Sequence, residues 1–117
     1  NGINNLSGNN SFDITGASTV TGGANGIGSG VGNDTINVSG DSSIVGLNDD
    51  GIEAGAGSNS ITIDDSIVTG NDNAIQTGTN DDLIDISGAI ACHRHTNSLA
   101  LTAGIDGLEF VNPSPVS

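Results

Sequence analysis

Three phrases in the middle of the chain decide its fold: GIGSGVGNDTINVSGDSSIVGLNDD (26–50), GIEAGAGSNSITIDDSIVTGNDN (51–73) and AIQTGTNDDLIDISG (74–88). Each begins with an isoleucine anchor, Ile27, Ile52 or Ile75. Nine residues on stand Ile36, Ile61 and Ile84, and eleven residues on stand Val38, Ile63 and Ile86. A third apolar position is read at Ile44, Ile67 and Ile90. The same ruler reaches back to Ile3, Phe12, Ile14 and Val20, and forward to Leu99, Leu108 and Phe110. Anchors spaced 24, 25, 23 and 24 residues apart are an internal repeat, and a repeat of that period signals a solenoid.

Within each phrase, apolar β-branched residues alternate with polar ones, as in TINV, SITI and LIDI, and Gly, Asn and Asp bound them. That is the signature of short strands separated by turns. No stretch has helical apolar spacing with capping residues. Three short strands in about 24 residues predict an all-β parallel β-helix of about five coils, stacked at the ~4.8 Å strand spacing. The repeat domain spans 1–111. The tail 112–117, NPSPVS, follows it, and its Pro113 and Pro115 cannot donate to a strand ladder.

The turns align as well as the strands. Asn9, Asn33, Ser58 and Asp81 fall in one column, and Asn10, Asp34, Asn59 and Asp82 in the next. A further pair of columns holds Asn48 with Asn71 and Asp49 with Asp72. Asparagine tolerates left-handed backbone and bonds nearby backbone groups, and stacked amides can bond from coil to coil.

Composition narrows the function. The 117 residues include no Trp, Tyr, Met or Lys, two Phe and 19 Gly, with a net charge of −13 and Arg94 as the one strong cation. So small a set of side chains suits a solenoid, whose coils bury little each, better than a wide globular core. The charge excludes nucleic acid, whose phosphates need cations, and disfavours anionic lipid. No apolar run is long enough for a membrane span. The single Cys92 forms no internal disulfide, and acidity with abundant Asn, Gly, Ser and Thr leans extracellular or cell-surface.

Three resemblances follow. GVGNDTINVSG and GIEAGAGSNSITI resemble the passenger repeats of bacterial autotransporter adhesins, over roughly residues 2–111. That likeness implies a right-handed parallel β-helix with a structural or adhesive role outside the cell, and surface polysaccharide as a partner class. GVGNDTI and GTNDDLI resemble calcium-binding repeats of the RTX type, which implies calcium near Asp34, Asp81 and Asp82. The coil is longer than paired nonapeptides, however, and Asn10 and Asn59 replace aspartate in the same column. NDDGIE (48–53), TGNDNAIQTG (69–78) and CHRHTNSLALTAG (92–104) resemble three turns of polygalacturonase-type glycoside hydrolases. That implies acid–base carboxylates at Asp50 and Asp72 beside His95 or His93. Asn71 stands where that family has a carboxylate, and its arginine–lysine segment has no counterpart here.

Cys92, His93 and His95 form a compact patch of zinc- or copper-type ligands without the separated pairs of a structural zinc site, and an exposed turn that breaks the repeat is the simpler reading. The expectation taken forward is a structural, non-enzymatic β-solenoid, stacking end to end with copies of itself or with neighbouring coils of a longer chain. A calcium-binding module and a polysaccharide-degrading enzyme are the alternatives.

Overall fold

The computed structural model describes residues 2–87 and the strands at 90–93, 101–102 and 109–110. Among these residues every strand pairing is parallel and no helix occurs. The first coil holds β1 (Ile3–Asn4), β2 (Ser11–Ile14) and β3 (Thr19–Gly22), and the second β4 (Ile27–Gly28), β5 (Thr35–Val38) and β6 (Ser43–Gly46). The third holds β7 (Ile52–Ala54), β8 (Ser60–Asp64) and β9 (Ile67–Gly70), and the fourth β10 (Ile75–Thr77), β11 (Leu83–Ser87) and β12 (Ile90–His93). Strands β13 (Leu101–Thr102) and β14 (Glu109–Phe110) add a fifth rung to two of the sheets.

Like strands of successive coils pair, giving three sheets in the orders β1-β4-β7-β10-β13, β2-β5-β8-β11-β14 and β3-β6-β9-β12. The molecule is a parallel β-solenoid, as the repeat predicts. Ile3 pairs with Ile27, Ile27 with Ile52, and Ile52 with Ile75. The rows Phe12–Ile36–Ile61–Ile84 and Ile14–Val38–Ile63–Ile86 stack in the same way. These side chains turn inward and form the core with Ile44, Ala54, Val68 and Ala74. An interior enclosed by three sheets of short strands, to which each coil contributes only a few side chains, suits β-branched residues and leaves little room for rings, in keeping with the near-absence of aromatics.

Two register expectations need correction. Ile44 stacks on Val68, not on Ile67, which pairs with Ser43. Val68 is fully buried while Ile67 is 46 % exposed. The corner between the second and third sheets is one residue shorter in the third coil than in the second, and a one-residue slip exchanges the two faces of a strand. A serine row holds the true register: the Ser18 amide donates to the Ser42 hydroxyl oxygen at 3.2 Å, and the Ser42 amide to that of Ser66 at 3.1 Å. The second correction lies in the fifth rung, where Leu101 rather than Leu99 pairs with Ile75. The pairing of Phe110 with Ile86 is as expected. Arg94, His95, Leu99, Leu108 and the tail 112–117 lie outside the described residues.

Candidate functional site

The polar turn residues are not surface decoration: several point into the rod. Asn10, Asp34, Asn59 and Asp82 each stand just before a strand of the second sheet, at the corner where the chain leaves the first. Asp34, Asn59 and Asp82 are buried there, and Asn10 is half-buried at the open end. The Asn10 amide donates to Asp34 Oδ1 (2.9 Å), the Asp34 amide to Asn59 Oδ1 (3.0 Å), and the Asn59 amide to Asp82 Oδ1 (2.9 Å). One inner column of the sequence is thus a continuous side-chain ladder.

Glycine at this corner serves close stacking. A side chain at Gly57 would run into the carbonyl of Gly32 one coil away, and one at Gly78 would lie 2.6 Å from that of Gly55. Gly32 and Gly57 also hold φ values of 142° and 134°, where other residues are strained. With no side chains between them, the turn carbonyls line the corner with oxygen. The Asn59 side-chain amide meets that lining directly, donating to the carbonyls of Ala54 (3.2 Å), Gly55 (3.1 Å) and Gly57 (3.1 Å) and to Asp82 Oδ1 (3.0 Å). Asn10 does the same at the open end, to Gly8 and Ser29 carbonyls and Asp34 Oδ1. Where aspartate takes the place of asparagine, the matching oxygen has no partner: Asp34 Oδ2 and Asp82 Oδ2 are buried and unbonded, as is the Ser29 hydroxyl.

The residues expected to hold calcium are therefore divided. Asp34 and Asp82 share the inner column, two coils apart with Asn59 between them. Asp81 is exposed, in the column of Asn9, Asn33 and Ser58. There the Asn33 amide donates to Asn9 Oδ1 (2.8 Å) and the Ser58 amide to Asn33 Oδ1 (2.9 Å). No three His, Cys, Asp or Glu side chains converge among the described residues.

The carboxylates expected of a hydrolase are divided too. Asp50 is buried in a second inner column, its amide donating to Asn25 Oδ1 (3.0 Å) and its Oδ1 accepting from the Asn73 amide (3.1 Å) and side chain (2.9 Å). Asp72 is exposed in the neighbouring outward column, beside Asp49. Asp50 is thus enclosed in the rod and Asp72 lies on its surface. Cys92 and His93 lie on β12, paired with Thr69 and Gly70, and His95 is outside the described residues.

Burial pushes the Asp50 carboxyl above its ordinary value of 3.8; the Asn73 amides oppose the shift, and the charges of Asp49 and Glu53 add to it. A raised carboxyl in the folded state binds a proton that the unfolded chain releases. Its stabilising contribution is therefore full below 3.8 and is lost as pH rises through the raised value. Asp50→Asn should accordingly melt higher than the parent at pH 7, with the gap closing as pH falls below 3.8. Circular dichroism melts of both proteins across pH 3–7.5 (a range of about 4 to 5 units around the carboxyl values) check this. A variant that melts lower than the parent at neutral pH overturns it.

Sequence reading missed the Asn25–Asp50–Asn73 column, although sliding the Asn48/Asn71 alignment on by two residues exposes it. It also missed the serine row, whose signal is the even spacing of Ser18, Ser42 and Ser66. No protein family, curated protein or solved structure matches this chain, so fold and site rest on its own residues.

Proposed function

We infer that the chain is a structural segment of an extracellular β-solenoid fibre, whose first coil is continued end to end by a further coil, supplied by another copy or by a longer chain. The carrying observation is the state of that first coil. Strands β1, β2 and β3 are the edge strands of all three sheets. Ile3, Phe12 and Val20 close the core there only half-buried, whereas Ile27, Ile36 and Ile44 directly behind them are fully buried. The Thr35 amide donates to the Asn10 carbonyl (2.9 Å) and the Ser39 amide to that of Ile14 (2.9 Å). By strand alternation, Ser11 and Asp13 turn their peptide groups to the open edge. Such an edge is a template for another parallel strand, and among the described residues no element covers it.

The charge distribution favours growth along the axis. Among the described residues most acidic side chains are exposed or half-buried on the flanks, so two rods side by side repel, while the end offers unpaired backbone and apolar side chains. A lysine-free, strongly acidic flank of Gly, Asn, Ser and Thr suits display at a cell surface and supports the extracellular reading.

The test is sedimentation velocity with negative-stain microscopy of the parent and of Phe12→Lys. An inward-facing charge at the edge blocks strand addition, and the half-buried position limits its cost to folding. The parent should form rods longer than one chain. The variant should sediment as a monomer with a melting midpoint within about 5 °C of the parent, the equivalent of roughly 1 kcal/mol. Dispersed monomers from both proteins would refute continuation by another copy, and equal assembly by both would refute continuation through this edge.

A further inference from the structure

The inner column holds two places where a donor is required and none is supplied. Asn59 shows what the corner needs: its amide nitrogen faces the carbonyls of Ala54, Gly55 and Gly57 and bonds all three. Asp34 and Asp82 occupy the same row one coil to either side, each only 1 % exposed. Their Oδ1 atoms fill the role of the asparagine oxygen, accepting from the amide of the preceding coil. That leaves Oδ2 in the place of the amide nitrogen, and Oδ2 has no hydrogen-bond partner at either residue. A carboxylate oxygen buried among carbonyls is repelled where the amide is bound, and burying it without compensation costs several kcal/mol, about as much as many whole domains are stable by.

A second feature sets these coils apart. Ser29, Ala54 and Thr77 share the inward row of the first sheet that leads into the corner. The two coils with an aspartate carry a hydroxyl there, Ser29 with Asp34 and Thr77 with Asp82, while the asparagine coil carries Ala54. The Ser29 hydroxyl is fully buried and, like Asp34 Oδ2, unbonded. In the neighbouring coil the residue 54 carbonyl touches the residue 59 side chain, so this row borders the corner.

We propose that Asp34 and Asp82 mark two enclosed cation sites in the solenoid interior, each taking one small monovalent ion of the sodium class. The ion takes the place of the positive end of the asparagine amide. Its ligands are Oδ2 of the aspartate, the hydroxyl of Ser29 or Thr77, and the turn carbonyls equivalent to those that Asn59 bonds. All are hard oxygen donors, the set that alkali and alkaline-earth cations choose. Each site contains one carboxylate, and its neighbours in the column above and below are asparagines where the column continues. A monovalent ion therefore leaves no net charge buried, whereas a divalent ion leaves one uncompensated positive charge in each site. The role is structural: the two ions neutralise the inner column in alternate coils. Exposed Asp81 takes no part.

The test compares the parent chain with the Asp34→Asn/Asp82→Asn double variant. Asparagine at these rows copies Asn59, so the variant retains the ladder and should fold. Melts are recorded in sodium chloride, in tetramethylammonium chloride of equal ionic strength, and in the latter with calcium chloride added. The parent should melt about 5 °C or more higher in sodium than in tetramethylammonium, as for a ligand present at about ten times its dissociation constant. The double variant should show less than a fifth of that difference and should melt above the parent in tetramethylammonium. A parent indifferent to the cation, or a sodium effect that survives in the variant, overturns the proposal. A response to calcium alone overturns the monovalent assignment. Stabilisation by acid without any cation effect also overturns it, because a proton would then supply the missing donor.

Discussion

Gly70→Ala should abolish cooperative folding of the third and fourth coils, while Gly23→Ala should leave stability unchanged. At the end of β9 the chain folds back so sharply that a side chain on Gly70 would overlap the carbonyl of Asn73 and lie 2.6 Å from the amide nitrogen of Gly51. That carbonyl cannot simply move aside, because it accepts the Gly51 amide at 2.9 Å and so helps lead into β7. Gly22 and Gly46 meet the carbonyls of Asn25 and Asp50 in the same way. Removing the overlap means opening a corner in the middle of the stack, a loss of about 4 kcal/mol or more, in the range reserved for severe structural conflicts. Gly23 has nothing within 4 Å of where its side chain would point. Urea denaturation of the three proteins separates the cases. A Gly70→Ala protein with a single parent-like transition would show that this corner yields more easily than its geometry implies.

Asn59→Ala should cost about 3–5 kcal/mol, and Asn10→Ala less than about 1 kcal/mol, because burial and not residue type sets the penalty. Asn59 lies two coils inside the open end and serves five groups: it accepts from the Asp34 amide and donates to three carbonyls and to Asp82. Truncation strands a buried amide and at least one carbonyl, and leaves a void between two aspartates. Asn10 makes similar bonds, but at the half-buried end, where water replaces them in the unassembled chain on which the measurement is made. Chemical denaturation of both variants gives the two values. Equal losses would mean that the inner ladder contributes little beyond what solvent can supply.

The period was legible because each coil repeats its inward isoleucines at a nearly fixed offset, and stacking like on like is the only arrangement that keeps all of them dry. The ladders of Asn9 and Asn10 were legible for the same reason. The third strand misled. Ile67 and Val68 are adjacent and equally β-branched, so hydrophobic pattern alone cannot choose which faces inward; the choice falls to the hydroxyl of Ser66, which holds the amide of Ser42. The candidate site was half visible. Asp34 and Asp82 stood out as acidic turn residues, but a one-dimensional pattern does not show which of two neighbouring columns points inward. It therefore grouped Asp81 with Asp82, and Asp72 with Asp50, although each pair divides between surface and interior. The row Gly22, Gly46 and Gly70 looked like ordinary turn punctuation, and His93 takes the paired position on β12. The repeat thus loses its glycine where the sequence also loses its regularity.

Each side-chain ladder has a fixed direction, and neighbouring ladders run in opposite ones. In the column that begins at Asn10, backbone amides donate toward the following coil. In the adjacent column that begins at Asn9 they donate toward the preceding one. Together with the parallel strands, this gives the described coils a direction: the two faces of a coil are chemically different, and each ladder continues only when unlike faces meet. Two copies related by a twofold axis would meet through identical faces and could not continue either ladder. Any axial assembly must therefore be heterologous, with every subunit pointing the same way and no symmetry element to close it. A filament of this kind has distinguishable tips. Fixed to a surface by one of them, it would present the same opposite tip from every anchored copy.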